Sequence, residues 1–120
     1  MGLASWFDRV SRTTSEVEAD ELRARSRGLD AIPIANAVRG APITLAGTIR
    51  TVTLRPRTGV PALEAEIYDG SGVATVVWLG RRQLPGVSPG RPIVVKGRVT
   101  YRHGRPVVFN PRYELRPYGR

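Results

Sequence analysis

The feature that most constrains the fold is a series of short β-rich runs, broken by Gly, Pro, Asp and Ser, that begins at residue 43. Runs that alternate apolar and polar side chains between such residues are typical of strands joined by turns. We predict five strands, at residues 43–54, 62–68, 73–79, 93–100 and 107–115. Five short strands suit a small closed or partly open barrel better than a sandwich, which needs about seven.

Glycines inside the runs also favour a barrel. Gly47 interrupts the first run and Gly97 the fourth, and a glycine within a strand allows a bulge or sharp coiling. We expect such a bulge or coil at Gly47. Closure of the coiled strands would remove the exposed edges of an open sheet. The predicted fold class is therefore all-β, a five-stranded Greek-key barrel with an N-terminal helical extension.

The helical extension is predicted from residues 1–30. Ser15 followed by Glu18 has the spacing of a capping box, and Gly28 is a typical residue to follow a helix end, so we predict a helix over 15–27. Upstream, apolar residues recur at i, i+3, i+4 and i+7, namely Leu3, Trp6, Phe7 and Val10. This segment would either pack on the flank of the barrel or dock a partner protein.

The chain is short enough for one small domain with a modest core. We divide it into a helical extension (1–30), a linker (31–42), a barrel domain (43–116) and a tail (117–120).

Charge is unevenly distributed along the chain. The net charge is +9, and residues 31–120 hold fourteen basic residues against four acidic ones, whereas residues 1–30 hold five against six. Codon bias explains the preference for Arg over Lys but not the shortage of acids. A compact domain with this excess attracts polyanions, so we expect nucleic acid as the partner.

Several function classes find little support. The chain has no cysteine, and its one histidine, His103, lies between arginines in a predicted turn, so we expect no enzyme activity, no metal and no cofactor. No run approaches the roughly 20 apolar residues of a membrane span, and the N-terminus does not resemble a signal peptide. We expect a soluble cytoplasmic protein that does not bind membranes.

Four segments carry a resemblance to a known family: ITLAGTIR, EAEIYDGSGVATVVWLG, PGRPIVVKGRV and GRPVVFNPRYEL. Their glycine spacing and the DGSG hairpin resemble the OB-fold domains that bind nucleic acid, above all the anticodon-binding and helicase-wedge type and small standalone actinobacterial OB-fold proteins. The resemblance covers residues 43–115. It implies a ligand that crosses the second and third strands, between the first–second and fourth–fifth loops.

Carried onto this sequence, the two loops are basic. The first, RPRTGVP, holds Arg55 and Arg57, and the other, YRHGRP, holds Tyr101, Arg102 and Arg105. Arginines that contact phosphates, together with rings that stack on bases, suit single strands. The remaining candidate contacts are Tyr68, Trp78, Arg81, Arg82, Lys96, Arg98 and Arg112.

Two acids on the second strand conflict with a simple binding surface. Glu64 and Glu66 share the polar side of ALEAEIY, where a nucleic-acid groove would favour neutral or basic residues. Either they contact base edges or cross-strand arginines, or the surface is shifted toward the loops and the fourth strand. We favour the shift, which would give weak, sequence-tolerant binding.

The role of Trp78 depends on the DGSG turn. A plain four-residue loop pairs Tyr68 with Val73 and puts Trp78 opposite Leu63 on the core side. A left-handed Gly72 would add a one-residue bulge and turn Trp78 to the binding side. We favour packing in the core or at the barrel rim, with a stacking role as the alternative.

A rival interpretation also stands: the domain is a protein-interaction module whose basic surface docks an acidic partner. The sequence does not distinguish DNA from RNA, and it does not indicate an oligomeric state.

Overall fold

The structure is a computed structural model, and it describes residues 30–56 and 58–118. The predicted N-terminal helix, the apolar segment before it and Arg57 lie outside the described residues. The described chain contains a 3-10 turn at Ile34–Asn36 and six strands: β1 (Pro42–Leu54), β2 (Ala62–Tyr68), β3 (Val73–Leu79), β4 (Pro92–Arg102), β5 (Arg105–Phe109) and β6 (Arg112–Leu115).

Five of the strands close into a ring. The order is β1-β2-β3-β5-β4, and β4 pairs again with β1. All pairs are antiparallel except β3 with β5. The predicted all-β barrel of five strands is therefore confirmed as a closed five-stranded ring, with β6 added along part of β4.

The last predicted strand, 107–115, is in fact two strands. Asn110 has a φ of 48°, in the left-handed region, and Pro111 follows it, so the chain bends between β5 and β6. Asn110 stabilises the bend because its backbone N–H donates to the Val77 carbonyl (2.7 Å) and its Oδ1 accepts from the Leu79 N–H (2.9 Å). Asn110 thus keeps two hydrogen bonds to β3 at the break, one through its backbone and one through its side chain.

Strand β1 is long enough to pair with two neighbours. It pairs with β4 over 42–48 and with β2 over 48–54, and Gly47 lies at the change of partner. A Cβ on Gly47 would lie 2.8 Å from the carbonyl oxygen of Tyr68, so glycine is needed for the close approach of the two backbones. A bulge or a sharp coil was expected at Gly47; the bulge itself lies between Ile49 and Thr51, where Arg50 is the unpaired residue.

The core fills the inside of the ring from alternate positions of each strand. On β2 the inward residues are Leu63, Ala65 and Ile67, and on β3 they are Ala74, Val76 and Trp78. Burial of each large aliphatic side chain contributes about 1.5–3 kcal/mol to folding. The strict alternation fixes which residues remain outside, because a slip of one residue would expose this whole set.

Residues 31–41, treated above as a linker, pack against the barrel beside the β2–β3 turn. Ile34 is buried, and its N–H donates to Oδ2 of the buried Asp69 (2.9 Å). The other carboxylate oxygen of Asp69 accepts from the N–H of Ser71 (2.8 Å) and of Gly72 (3.1 Å), and from the Ser71 hydroxyl (2.7 Å). Asp69 therefore holds the turn and the 3-10 segment together. These hydrogen bonds to both carboxylate oxygens offset part of the cost of burying Asp69.

No helix within residues 30–56 and 58–118 is long and apolar enough to cross a membrane.

Candidate nucleic-acid interface

The β2–β3 turn sets which side chains lie outside the barrel. Tyr68 pairs with Val73 and Leu63 with Trp78, as expected for a plain four-residue loop. The left-handed residue is Gly70 (φ 91°), not Gly72. The outer residues of the two strands therefore form one surface, which we call the β2–β3 face: Glu64, Glu66, Tyr68, Val73 and Thr75. Thr75 is only 8% exposed, and Val77, on the same side of β3, is fully buried.

Trp78 lies on the inner side, and its side chain belongs to the core. It is 5% exposed, and its ring packs edge-on against Tyr113 with 5.4 Å between centroids. Its Nε1 is buried without a hydrogen-bond partner in the described chain. Of the two roles considered for this residue, core packing is the one that the register produces, and Trp78 is not available to stack on a base at the β2–β3 face.

The two acids of the face contact arginines from other parts of the barrel: Arg105 at the start of β5 and Arg55 directly after β1. Arg105 Nη1 donates to Glu66 Oε2 at 2.7 Å, and Arg55 Nε lies 3.6 Å from Glu64 Oε1. Cross-strand arginine contact is one of the alternatives raised from the sequence, and it explains the acids without a shift of the binding surface. Exposed pairs of this kind contribute only about 0–1 kcal/mol to stability, so their main effect is to neutralise the face and orient the arginines.

A groove of about 250 Å³ runs along the outer side of β1, β2 and β3. Three threonines line it together with the two acids, so it offers hydroxyl donors and acceptors over its length. Its polar lining residues are Thr51, Thr53, Arg55, Glu64, Glu66 and Thr75. Strand alternation explains the set, because these are outward positions of adjacent strands.

At the upper end of the face, near the β2–β3 turn, an aromatic ring lies beside a cation. The guanidinium carbon of Arg50 is 5.4 Å from the centre of the Tyr68 ring, within the range of a cation–π contact. Sequence reasoning proposed Tyr68 but missed Arg50. The bulge directs Arg50 to the outer side, and nothing in the run ITLAGTIR reveals where a bulge falls.

The β4–β5 connection is much shorter than the predicted loop of residues 101–106. Only His103 and Gly104 form the turn, with φ of 55° and 75°, as in a two-residue hairpin with both central residues left-handed. Arg102 and Arg105 therefore belong to the strands and pair directly across the hairpin. This places Arg105 at the upper rim of the β2–β3 face.

Tyr101 lies on the inner side of β4, contrary to its expected place in a loop. It is half-buried, and its hydroxyl donates to the Ala37 carbonyl oxygen at 2.5 Å. The rest of its ring lines a recess of about 370 Å³ next to Arg105, bounded by the 3-10 turn and the β2–β3 turn. Tyr101 thus supports the upper rim and does not project from the hairpin.

The structure separates the remaining candidates from the face. Lys96, Arg98 and Arg112 are exposed on the outer side of β4 and β6, around the barrel from β2. Arg81 and Arg82 are exposed in the connection after β3. The β2–β3 face therefore gathers Arg55, Tyr68 and Arg105 from the predicted set.

In the described part of the chain, no group of three or more His, Cys, Asp or Glu side chains is arranged to hold a metal ion.

Comparison with known proteins gives the class of the fold. No protein-family model matches the sequence, and no curated protein matches it. The chain is similar to part of RecG, solved bound to a three-way DNA junction, with a TM-score of 0.57 and 21% identity over 72% of this chain and 12% of that chain. It is also similar to the p204 HINb domain, with a TM-score of 0.60 and 17% identity over 78% of this chain and 50% of that chain.

These likenesses concern the fold. Together with the closed five-stranded ring they define an OB-like barrel domain, which corresponds to a small part of RecG and half of the HINb chain.

Proposed function

We propose that this domain binds nucleic acid, either single-stranded or structured, with little sequence specificity, through the β2–β3 face. The observation that carries the proposal is the arrangement at the upper end of that face. There the Tyr68 ring lies beside Arg50, and Arg105 is held at the rim by Glu66. A ring for a base and cations for the adjoining phosphates are the two elements of sequence-tolerant single-strand binding.

Each group has a distinct task in this proposal. Arg105 donates one N–H to Glu66, so its other guanidinium N–H groups can donate to a phosphate. Tyr68 stacks on a base, an interaction of about 1–3 kcal/mol for each base. The threonine hydroxyls of the groove donate to or accept from base edges or sugars, and they do not favour one base strongly.

Two further facts support a nucleic-acid partner. Residues 31–120 carry fourteen basic residues against four acidic ones, so the barrel attracts polyanions over about a Debye length, roughly 8–10 Å. The RecG structure to which the chain is similar holds a three-way DNA junction, although this chain covers only 12% of RecG.

The test is fluorescence polarisation with labelled single-stranded, duplex and forked oligonucleotides at about 50 mM and about 200 mM salt. We expect binding that weakens log-linearly with salt, with a slope near −0.7 for each phosphate contact on a single strand. Absence of binding to all three probes at the lower salt concentration would contradict the proposal.

That negative result would favour the rival function, a protein-interaction module. One feature of the structure speaks for it. Leu54, Val60 and Leu79 are 47%, 44% and 41% exposed, and they lie at the end of the barrel where β1 and β3 end and β2 begins. Exposed apolar side chains that gather at one place are typical of protein-binding sites.

A further inference from the structure

A second group of cations continues from the rim of the β2–β3 face around the barrel. Arg105 pairs with Arg102 across the β4–β5 hairpin, and Arg102, Arg98 and Lys96 lie on the outer side of β4, with Thr100 between Arg102 and Arg98. Lys96 in turn lies opposite Arg112 on β6. We call the outer residues Lys96, Arg98, Arg102 and Arg112 the β4 stripe.

The charges of the β4 stripe are not neutralised as those of the face are. No carboxylate of residues 30–56 or 58–118 lies within salt-bridge distance of its members. Arg98 donates to the Gly40 carbonyl oxygen at 2.8 Å. Glu114, the acid nearest along β6, lies 3.6 Å from Arg116 instead. The exposed surface of a soluble protein usually intersperses acidic and basic side chains, and the stripe has only basic ones.

The far end of the stripe also offers an aromatic ring. A groove of about 190 Å³ lies between β4 and β6, and Lys96, Arg112 and Tyr113 are among its lining residues. Tyr113 is 38% exposed. The Tyr113 ring also packs edge-on against Trp78, and Glu114 lines the same groove as the two cations.

Distance separates this second position from the first. Lys96 and Arg102 are six residues apart on one strand, about 20 Å at roughly 3.3 Å for each residue. That exceeds the Debye length of about 8 Å at physiological salt. A short strand confined to the face would therefore gain little from Lys96 or Arg112, whereas a longer strand would reach them.

We propose that a single strand of nucleic acid bound on the β2–β3 face continues past Arg105 and Arg102 and follows the outer side of β4, with later phosphates on Arg98, Lys96 and Arg112. This inference rests on the proposed function, and it adds a path and a length requirement to it. The path is set by the register of β4 with β5 and β6, which places these cations on one side of the sheet, interrupted only by Thr100 between Arg102 and Arg98.

The experiment compares labelled oligo-dT strands of about 8 and about 24 nucleotides, lengths chosen around the footprint of one OB barrel. The test variant is Lys96→Gln/Arg112→Gln, because neither side chain has an ion pair in the described chain. The matched control, Arg81→Gln/Arg82→Gln, removes the same charge from exposed positions in the β3–β4 connection.

We expect the test variant to bind the short strand within about twofold of the wild type and the long strand about five- to tenfold more weakly. Its salt slope on the long strand should fall in magnitude by about 1.4, which is two contacts at about 0.7 each. The control should weaken both lengths by the same factor. The inference is overturned if the test variant leaves the long strand unaffected, or if it weakens both lengths equally. Failure of the wild type to bind either length would instead contradict the proposed function.

Discussion

The β2–β3 face and the β4 stripe carry the same kind of side chain in opposite electrostatic settings. On the face, Arg105 and Arg55 lie against Glu66 and Glu64, at 2.7 and 3.6 Å. On the stripe, Lys96 and its neighbours have no carboxylate partner among the described residues. The cations of the stripe therefore keep their full charge, whereas Arg105 and Arg55 on the face are balanced by carboxylates.

This difference separates two tasks that a basic domain has to perform. Unpaired exposed cations attract a polyanion from a distance, and that attraction falls steeply with salt. Arginines held by a carboxylate are neutral from a distance, but they are oriented, so less side-chain entropy is lost when they meet a phosphate. We infer that the face sets the geometry of the first bases and phosphates, and that the stripe holds the later phosphates of a longer strand.

The largest effect is expected from reversing the charge of an arginine that pairs with a carboxylate on the β2–β3 face. Arg105→Glu would place a second carboxylate beside Glu66 and remove the cation at the rim, so affinity for a short single strand should fall about 100-fold, roughly 2.7 kcal/mol. The swapped pair, Arg105→Glu with Glu66→Arg, restores neutrality and returns a cation to the face. We expect it to recover most of the loss in a polarisation titration.

The swapped pair shows whether binding needs the ion pair between residues 66 and 105, or an arginine at position 105 itself. Both variants leave the core untouched, because residues 66 and 105 lie outside the barrel, and thermal unfolding should confirm that. If Arg105→Glu alone changed the affinity by less than about threefold, the β2–β3 face would not be the binding surface. Binding would then lie on the β4 stripe alone.

A smaller loss is expected from the ring of the face. Tyr68→Ala removes a stacking partner worth about 1–3 kcal/mol for one base, so affinity should fall about tenfold with little change in the salt slope. Tyr118→Ala is the control, because Tyr118 is also exposed and also lies beside an arginine, 4.9 Å from Arg91, but away from the β2–β3 face. Equal losses for the two variants would contradict a specific role for Tyr68.

Sequence patterns predicted the fold class and part of the site because those depend on local alternation. The runs ALEAEIY and VATVVWL specify their inner and outer residues once the turn length is known. The core position favoured for Trp78 corresponds to a four-residue DGSG loop, which the structure has. That is why the core position of Trp78 and the outer position of Tyr68 could both be expected.

What the sequence left undetermined depends on contacts between distant residues. The bulge that directs Arg50 outward has no local signal. The partner of Glu66, Arg105, comes from β5, which pairs with β3 and not with β2, so the sequence does not show that the two side chains meet. The hairpin at His103 was predicted too long because strand pairing overrides the turn-like composition of YRHGRP. Basic residues could be counted from the sequence, but their division into paired and unpaired sets could not.

The smallest predicted loss of affinity concerns Arg50, which the bulge places over the Tyr68 ring on the β2–β3 face. An exposed cation–π contact contributes about 0.5–1 kcal/mol, so Arg50→Gln should weaken binding of a short single strand roughly two- to fivefold. If Arg50 acts by orienting the Tyr68 ring, the loss should disappear in the Tyr68→Ala background, whereas a direct phosphate contact would persist there and lower the salt slope by about 0.7. Arg91→Gln removes the corresponding contact with Tyr118, at 4.9 Å, and should leave binding unchanged. A loss for Arg91→Gln equal to that for Arg50→Gln would mean that net charge, and not the paired geometry of the face, sets the affinity.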